Sequence, residues 1–362
     1  MSTSKKGKYD VTLLITLLIL VAFGLIILYS TSAYNGEVKF QDKFYYLKKQ
    51  LFATALGIAA MYAAAQIDYH VWRFLALPGY LVAILLSVAV LFIGDEYNGS
   101  KRWLSLGPFS FQPSELAKVA VILFLARIVT KEVKNIGKMT TLLKVMVLIL
   151  PVVGLVGASN LSTAIIILGI GVVLGFVASP KYGQFVVMGI VGIGFMSIFL
   201  AVESYRLERL AIWRNPEAYE KGYQTLQGLY AIGSGGLFGR GMGNSIQKLG
   251  FVPEAQNDMI FSIICEEWGF CGAAILMLLF LVLIWRFFVI ATHAQDLFGA
   301  LIATGALAHM MIQVVLNIAV VTNTIPNTGI TLPFVSYGGT SVVFLLIEMG
   351  LVLNVSKKSG IL

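Results

Sequence analysis

The feature that most constrains this chain is a succession of long apolar runs, lying near residues 11–30, 51–66, 74–93, 113–130, 142–157, 161–178, 184–202, 258–285, 298–321 and 341–355. A bilayer core takes about 20 apolar residues per helix. The pattern therefore predicts an all-α polytopic membrane protein of about ten transmembrane helices. Composition agrees, since 58% of the 362 residues are hydrophobic and only 12% charged, whereas a soluble domain carries about 25% charge. The very short turns at 158–160 and 179–183 predict two antiparallel helical hairpins. No low-complexity segment or internal repeat divides residues 1–362, so a single membrane domain is expected. Its largest piece outside the bilayer is a loop of about residues 203–257, between helices 7 and 8.

The opening "MSTSKKGKYD" and the run after it show no small-residue cleavage site beyond Tyr29, which favours a first transmembrane helix over a signal peptide. If that start is cytoplasmic, Lys5, Lys6, Lys8, Arg73, Arg127, Lys131, Lys134, Lys138, Lys144, Lys181, Arg286, Lys357 and Lys358 share its side with few acids. The positive-inside rule then places both termini in the cytoplasm. Three polar stretches fall on the other side: 98–118, 204–257 and 322–341. They are too rich in Gly, Pro and Asn to be ordinary spans, and their convergence would make one outward-facing site.

In the first stretch Lys101 and Arg102 precede Trp103, a grouping suited to an anionic headgroup with the indole on a sugar face. Pro113 fits the first turn of a helix capped by Gln112 or Ser114, and Glu115 and Lys118 are spaced for an ion pair. Capping and an interfacial Trp would account for the same residues without a ligand. In the second stretch Arg206, Arg209 and Arg214 interleave with Tyr205, Leu207, Leu210 and Ile212, the pattern of a surface amphipathic helix or of a phosphate-binding one. The run "GSGGLFGRGMG" lacks the spacing of a nucleotide-binding loop and has no preceding strand, so its glycines suit tight turns and close backbone approach. His70, His293 and His309 are scattered, and Cys265 and Cys271 fall on different helix faces. No metal or nucleophile constellation emerges, and no nucleic-acid partner is expected.

The stretch "FVPEAQNDMIFSIICEEWGF" places Glu254, Asp258, Glu266 and Glu267 at the entry to a span. Glu254 and Asp258, four apart, would share a helix face, and Asp258 could simply complement the helix N-terminus. Glu266 and Glu267 lie deeper and must meet partners or water. Alternatively, Asp258 is a general base, because a carboxylate in a partly dry site has a raised pKa suited to abstracting a sugar hydroxyl proton.

The motifs "NGSKRW", "FQPSELAK", "GYQTLQGLYAIGSGGLFGRGMG", "PEAQNDMIF" followed by "EEWGF", and "GITLPFVSYGGTS" resemble, in order and over essentially the whole chain, those of the SEDS family of shape, elongation, division and sporulation proteins. The resemblance is stronger to the family's division and sporulation branches than to its elongation branch. It implies a ten-helix enzyme, a peptidoglycan glycosyltransferase of the bacterial cytoplasmic membrane that polymerises lipid II beside a class B penicillin-binding protein and other divisome or elongation-complex membrane proteins. Asp258 falls on the family's essential acid and Trp103 on its Trp. Gln112, Ser114, Glu115 and Lys118 match its Gln-Pro-Ser-Glu helix. Gln224, Lys248, Glu254, Ser336 and Gly338 complete the expected substrate-binding set. The leaving pyrophosphate calls for positive charge from Arg206, Arg209, Lys101 or Arg102, or from a divalent cation (Mg²⁺ or Mn²⁺). Two positions depart from the pattern. Asn160 stands where the family carries an acid, and Gln256 and Asn257 replace its His-Thr, which excludes a histidine relay there. Competing functions are a lipid II flippase, its route lined by Glu115, Lys118, Glu266, Glu267 and Glu348, and a non-catalytic divisome scaffold.

Overall fold

The computed structural model describes residues 7–97, 100–107, 109–190 and 210–359. Three long helices come first: α1 (Val11–Phe40), α2 (Tyr45–Gln66) and α3 (Tyr69–Ile93). After a small sheet the chain continues through α4 (Pro113–Glu132), α5 (Met139–Val147), α6 (Leu150–Ser159) and α7 (Leu161–Ala178). Helical turns also cover 183–190 and 210–214. The last four helices are α8 (Tyr223–Ser234), α9 (Ile260–Thr292), α10 (Leu297–Val321) and α11 (Gly339–Ser359).

Helices α1, α3, α7, α9, α10 and α11 are long and apolar enough to cross a bilayer, and α5 with α6, bent by 41°, makes a seventh as one broken span. Helices α2 and α4 occupy two further expected spans but carry Lys48 and Lys49, and Glu115, Lys118 and Arg127, respectively. The expected span 184–202 lies largely outside the described residues. The protein is thus a polytopic, mainly helical membrane protein, with six or seven spans defined by length and composition among the described residues.

The expectation of an all-α chain needs one correction. Between α3 and α4 lies a three-stranded antiparallel sheet, β1 (Asp95–Tyr97), β2 (Ser100–Leu106) and β3 (Phe109–Phe111). Here the chain reverses outside any helix, so its backbone groups need partners. The hairpin supplies them, with Leu104 opposite Phe111 and Leu106 opposite Phe109. Leu104 turns inward to the core.

Elsewhere small residues set the packing. A Cβ added at Gly350 of α11 would lie 2.4 Å from the Met61 carbonyl oxygen of α2, so these helices approach backbone to backbone, as lipid-embedded helices do where side chains are small.

The bundle has two distinct ends. At one, the Asp10 amide donates to Ser356 Oγ at 3.1 Å, Arg286 pairs with Asp10, and Lys358 pairs with Asp68. His70 lies 2.8 Å from both Asp68 and Asp296. The first and last described residues are therefore at this end. At the other end the sheet, the N-terminal ends of α4, α7, α9 and α11 and the C-terminal end of α10 surround a cavity.

Candidate functional site

The polar stretch before α9 forms no helix around its carboxylates. Residues 251–259 are successive turns and α9 starts only at Ile260, so Glu254 and Asp258 do not share a helix face. Glu254 has φ 50°, a left-handed conformation that interrupts helix. Its Oε2 accepts from Asn257 Nδ2 at 2.9 Å.

Asp258 is 8% exposed and lines a cavity of about 1040 Å³. Gln224 Nε2 donates to its Oδ1 at a long 3.4 Å, and Asn327 Nδ2 in turn donates to Gln224 Oε1 at 3.3 Å. Burial first, then the negative charge of Glu254, push the Asp258 carboxyl up to about 6. Its backbone is fixed more firmly, since Asn317 Nδ2 donates to the Asp258 carbonyl at 2.9 Å and to that of Ile330 at 2.7 Å. A carboxyl so placed can take a proton from a hydroxyl near neutral pH.

The cavity wall also gathers Arg102, Trp103, Gln112, Glu115, Lys118, Gln224, Glu254 and Gly338. Sequence residues as distant as 102 and 338 are brought together here because five helices end at this level. Arg102 Nε donates to the Ser159 carbonyl at 2.9 Å, tying β2 to the end of α6. Glu115 and Lys118 form the expected pair at 3.0 Å. Gln112 occupies the cap position of α4 without a side-chain capping bond, leaving its amide to the cavity. Asn160 caps α7, accepting from the Thr163 amide at 3.2 Å, and lines the same cavity.

Four other expected binding residues lie elsewhere. Lys101 sits on the exposed hairpin with Nζ 3.5 Å from the Phe92 carbonyl. Ser114 is buried in the first turn of α4. The Ser336 hydroxyl accepts from the Leu332 amide at 2.8 Å, closing a turn. Lys248 is buried against Glu267 at 2.5 Å and Ser30 at 2.9 Å. Arg206 and Arg209 fall outside the described residues. Asn317, Gln313 and Asn327 were not anticipated from the sequence. The available signal was polar amides inside or beside an apolar run.

The deeper carboxylates have structural partners. Glu266 accepts from Ser245 Oγ at 2.5 Å and from the amides of Ile246 and Gln247 at 3.1 and 3.3 Å, with Arg240 3.7 Å away. Glu267 accepts from Ser30 Oγ at 2.8 Å and from Lys248. Helix α9 breaks just beyond, at Gly269 (φ 66°, ψ −167°). The glycine run occupies that break: the Gly241 amide donates to the Glu267 carbonyl at 2.9 Å and the Phe270 amide to the Gly236 carbonyl at 2.9 Å. Backbone groups freed within a span are thereby satisfied again. The run therefore serves as backbone partner to a broken helix.

Among the described residues no group of three or more His, Cys, Asp or Glu side chains is placed to hold a metal. Among the described residues the cavity therefore offers no such ligand set for a divalent ion.

A multi-spanning membrane protein with a buried carboxylate on a polar cavity at the end away from its termini is the class the fold and site define. The family of cell cycle proteins that includes FtsW, RodA and SpoVE matches residues 10–360, and the chain belongs to it. Stage V sporulation protein E of Bacillus subtilis (strain 168) is 41% identical over 370 residues, covering 99% of both chains. A probable peptidoglycan glycosyltransferase FtsW of Geobacter sp. (strain M18) is 36% identical over 356 residues, covering 97% of both. Among solved structures, a chain of a peptidoglycan synthase complex in which polymerisation and crosslinking are coordinated matches with a TM-score of 0.82 at 30% identity, covering 97% of this chain and 98% of that one. The rod shape determining protein RodA of Thermus thermophilus matches with a TM-score of 0.70 at 29% identity, covering 96% of each. The higher identities to the sporulation and division proteins follow the order implied by the motifs.

Proposed function

We propose that the protein is a peptidoglycan glycosyltransferase that polymerises lipid II at the outer face of the bacterial cytoplasmic membrane, in division or sporulation. The observation that carries this reading is the Asp258 carboxylate, buried on the wall of a cavity large enough for a disaccharide headgroup, with its pKa raised to about 6. Asp258 takes the proton of the GlcNAc 4-hydroxyl of an incoming lipid II. The freed oxygen attacks the anomeric carbon of the growing chain, and the bond to undecaprenyl pyrophosphate breaks with inversion. General-base assistance of this kind contributes about 10² to 10⁴-fold. Arg102 and Lys118 on the cavity wall supply positive charge towards the pyrophosphate.

Orientation follows from charge. Arg73, Arg127, Arg286, Lys357 and Lys358 lie on the terminal end of the bundle, and the positive-inside rule makes that end cytoplasmic. A class B penicillin-binding protein is the expected partner, because the matching chain of the synthase complex works where polymerisation and crosslinking are coordinated. Flipping lipid II is the weaker reading, since Glu266, Glu267 and Glu348, needed to line its route, are engaged in internal pairs.

The test is polymerisation of purified lipid II by the full chain with its cognate penicillin-binding protein, with glycan products resolved on a gel. Wild type should make strands and a folded Asp258→Ala none. Strands from Asp258→Ala would overturn the assignment of the base.

A further inference from the structure

A buried polar chain runs from the cavity into the bundle. Lys118 Nζ, 3.0 Å from Glu115 Oε1, also donates to Gln313 Oε1 at 3.0 Å. Gln313 Oε1 is shared with His309 Nε2 at 2.9 Å, and His309 Nδ1 lies 2.8 Å from Glu348 Oε2. All five side chains are almost fully enclosed. Lys118 and Gln313 line the cavity, whereas His309 and Glu348 do not.

Donor and acceptor chemistry fixes the protons along this chain. An ammonium only donates and a backbone carbonyl only accepts. Gln313 Nε2 donates to the Thr331 carbonyl at 3.1 Å while Oε1 takes Lys118, so the amide has one allowed orientation. Its oxygen then faces His309 Nε2, which must carry hydrogen. Nδ1 meets Glu348, so either both ring nitrogens are protonated beside a carboxylate, or a protonated Glu348 donates to a bare Nδ1. In both cases Nε2 donates and the pair holds one proton in the gap between Nδ1 and Oε2.

We infer that His309 and Glu348 are positioning residues for the cavity: the proton they hold between them fixes the ring with Nε2 as donor, which locks Gln313 and thereby places the Lys118 ammonium on the cavity wall. Neither residue touches the cavity. Without a protonic partner at position 348, a neutral His309 keeps its hydrogen on Nε2 but has a bare, unpartnered Nδ1, so the ring is no longer held in place. Its grip on Gln313 Oε1 would loosen, Gln313 would turn, and Lys118 would lose one of its two anchors. Displacement of a binding group by about 1 Å can cost about 10²-fold in rate.

The test has two arms. In the first, the full chain in lipid nanodiscs, labelled with ¹⁵N-histidine and carrying His70→Gln and His293→Gln, is read by solid-state NMR. A protonated Nε2 at His309 is expected, and a bare Nε2 with hydrogen on Nδ1 would overturn the inference. In the second, Glu348→Gln, whose amide still donates to Nδ1, should polymerise lipid II within roughly tenfold of wild type, while Glu348→Leu should fall by about 10²-fold. Equal loss in both variants, or no loss in Glu348→Leu, would overturn it. The activity arm rests on the polymerase reading. The spectrum needs no substrate, so failure of that reading and failure of this inference are distinguishable.

Discussion

Asn317 joins Asp258 to the opposite wall of the cavity. From near the C-terminal end of α10 its amide nitrogen donates at 2.9 Å to the Asp258 carbonyl and at 2.7 Å to that of Ile330, so a single enclosed side chain sets the spacing between the turn that carries the carboxylate and the segment that faces it. Replacement by leucine keeps the branched shape and removes both donors. Each carbonyl left without its donor costs about 1–3 kcal/mol. Asn317→Leu should therefore lower the thermal midpoint in detergent and reduce polymerisation by about 10²-fold, without changing the membrane yield of protein. A variant with unaltered rate would show that Asp258 is held by its own turn alone.

Gly269 and Gly239 meet where α9 is broken. A Cβ on Gly269 would lie 2.3 Å from the Gly239 nitrogen and one on Gly239 would lie 2.2 Å from the Glu267 carbonyl oxygen. Both positions also have positive φ, which costs about 1–3 kcal/mol for a residue with a side chain. Gly269→Ala should destabilise by at least that much and expose the 235–250 segment to limited proteolysis. The same substitution at Gly183, where an added Cβ meets nothing within 4 Å, should leave the proteolysis pattern unchanged.

The spans whose residues are described were legible because apolar periodicity survives whatever tertiary contacts form. Asp258, Trp103, Glu115 and Lys118 were legible because charge and an indole beside a membrane span are conspicuous. Two kinds of feature were hidden. Local spacing suggested a helix through Glu254 and Asp258, but Glu254 at φ 50° turns the chain instead, in a turn where Gln224, distant in sequence, bonds the Pro253 carbonyl and the Asp258 carboxylate. Lys248 looked like a ligand-binding cation because its partners, Ser30 and Glu267, are far away in sequence. The small sheet was hidden as well, because its strands are short and pair through tight connections, that between β2 and β3 at Gly107 with its positive φ.

Lys248 and Glu267 provide a test of that correction. The pair is buried at 2.5 Å with Ser30 as third member, and removing one partner of a buried pair costs about 3–5 kcal/mol because the other charge is stranded. Lys248→Met should thus be strongly destabilising, and Lys248→Met combined with Glu267→Leu should recover most of the loss. Thermal unfolding of the two variants decides it. A Lys248→Met protein of wild-type stability but weakened lipid II affinity would restore Lys248 to the substrate-binding set.

Asp258 ties stability to activity through one proton. In an unfolded chain its carboxyl titrates near 3.8, and in the fold burial and the charge of Glu254 raise it to about 6. Between those values the native state binds more protons than the unfolded state, so this residue's contribution to stability is fully present below about 3.8 and is lost as pH rises through about 6. The loss amounts to about 3 kcal/mol. Activity must run the opposite way, because only the ionised carboxylate accepts the hydroxyl proton. Initial rates of lipid II polymerisation should climb about tenfold per pH step below 6 and level off above it. Asp258→Asn, neutral at every pH, should be inactive throughout yet unfold at a higher temperature than wild type at pH 8, with the gap closing by about pH 4. A flat rate profile, or an Asp258→Asn protein less stable than wild type at pH 8, would remove Asp258 from the role of general base.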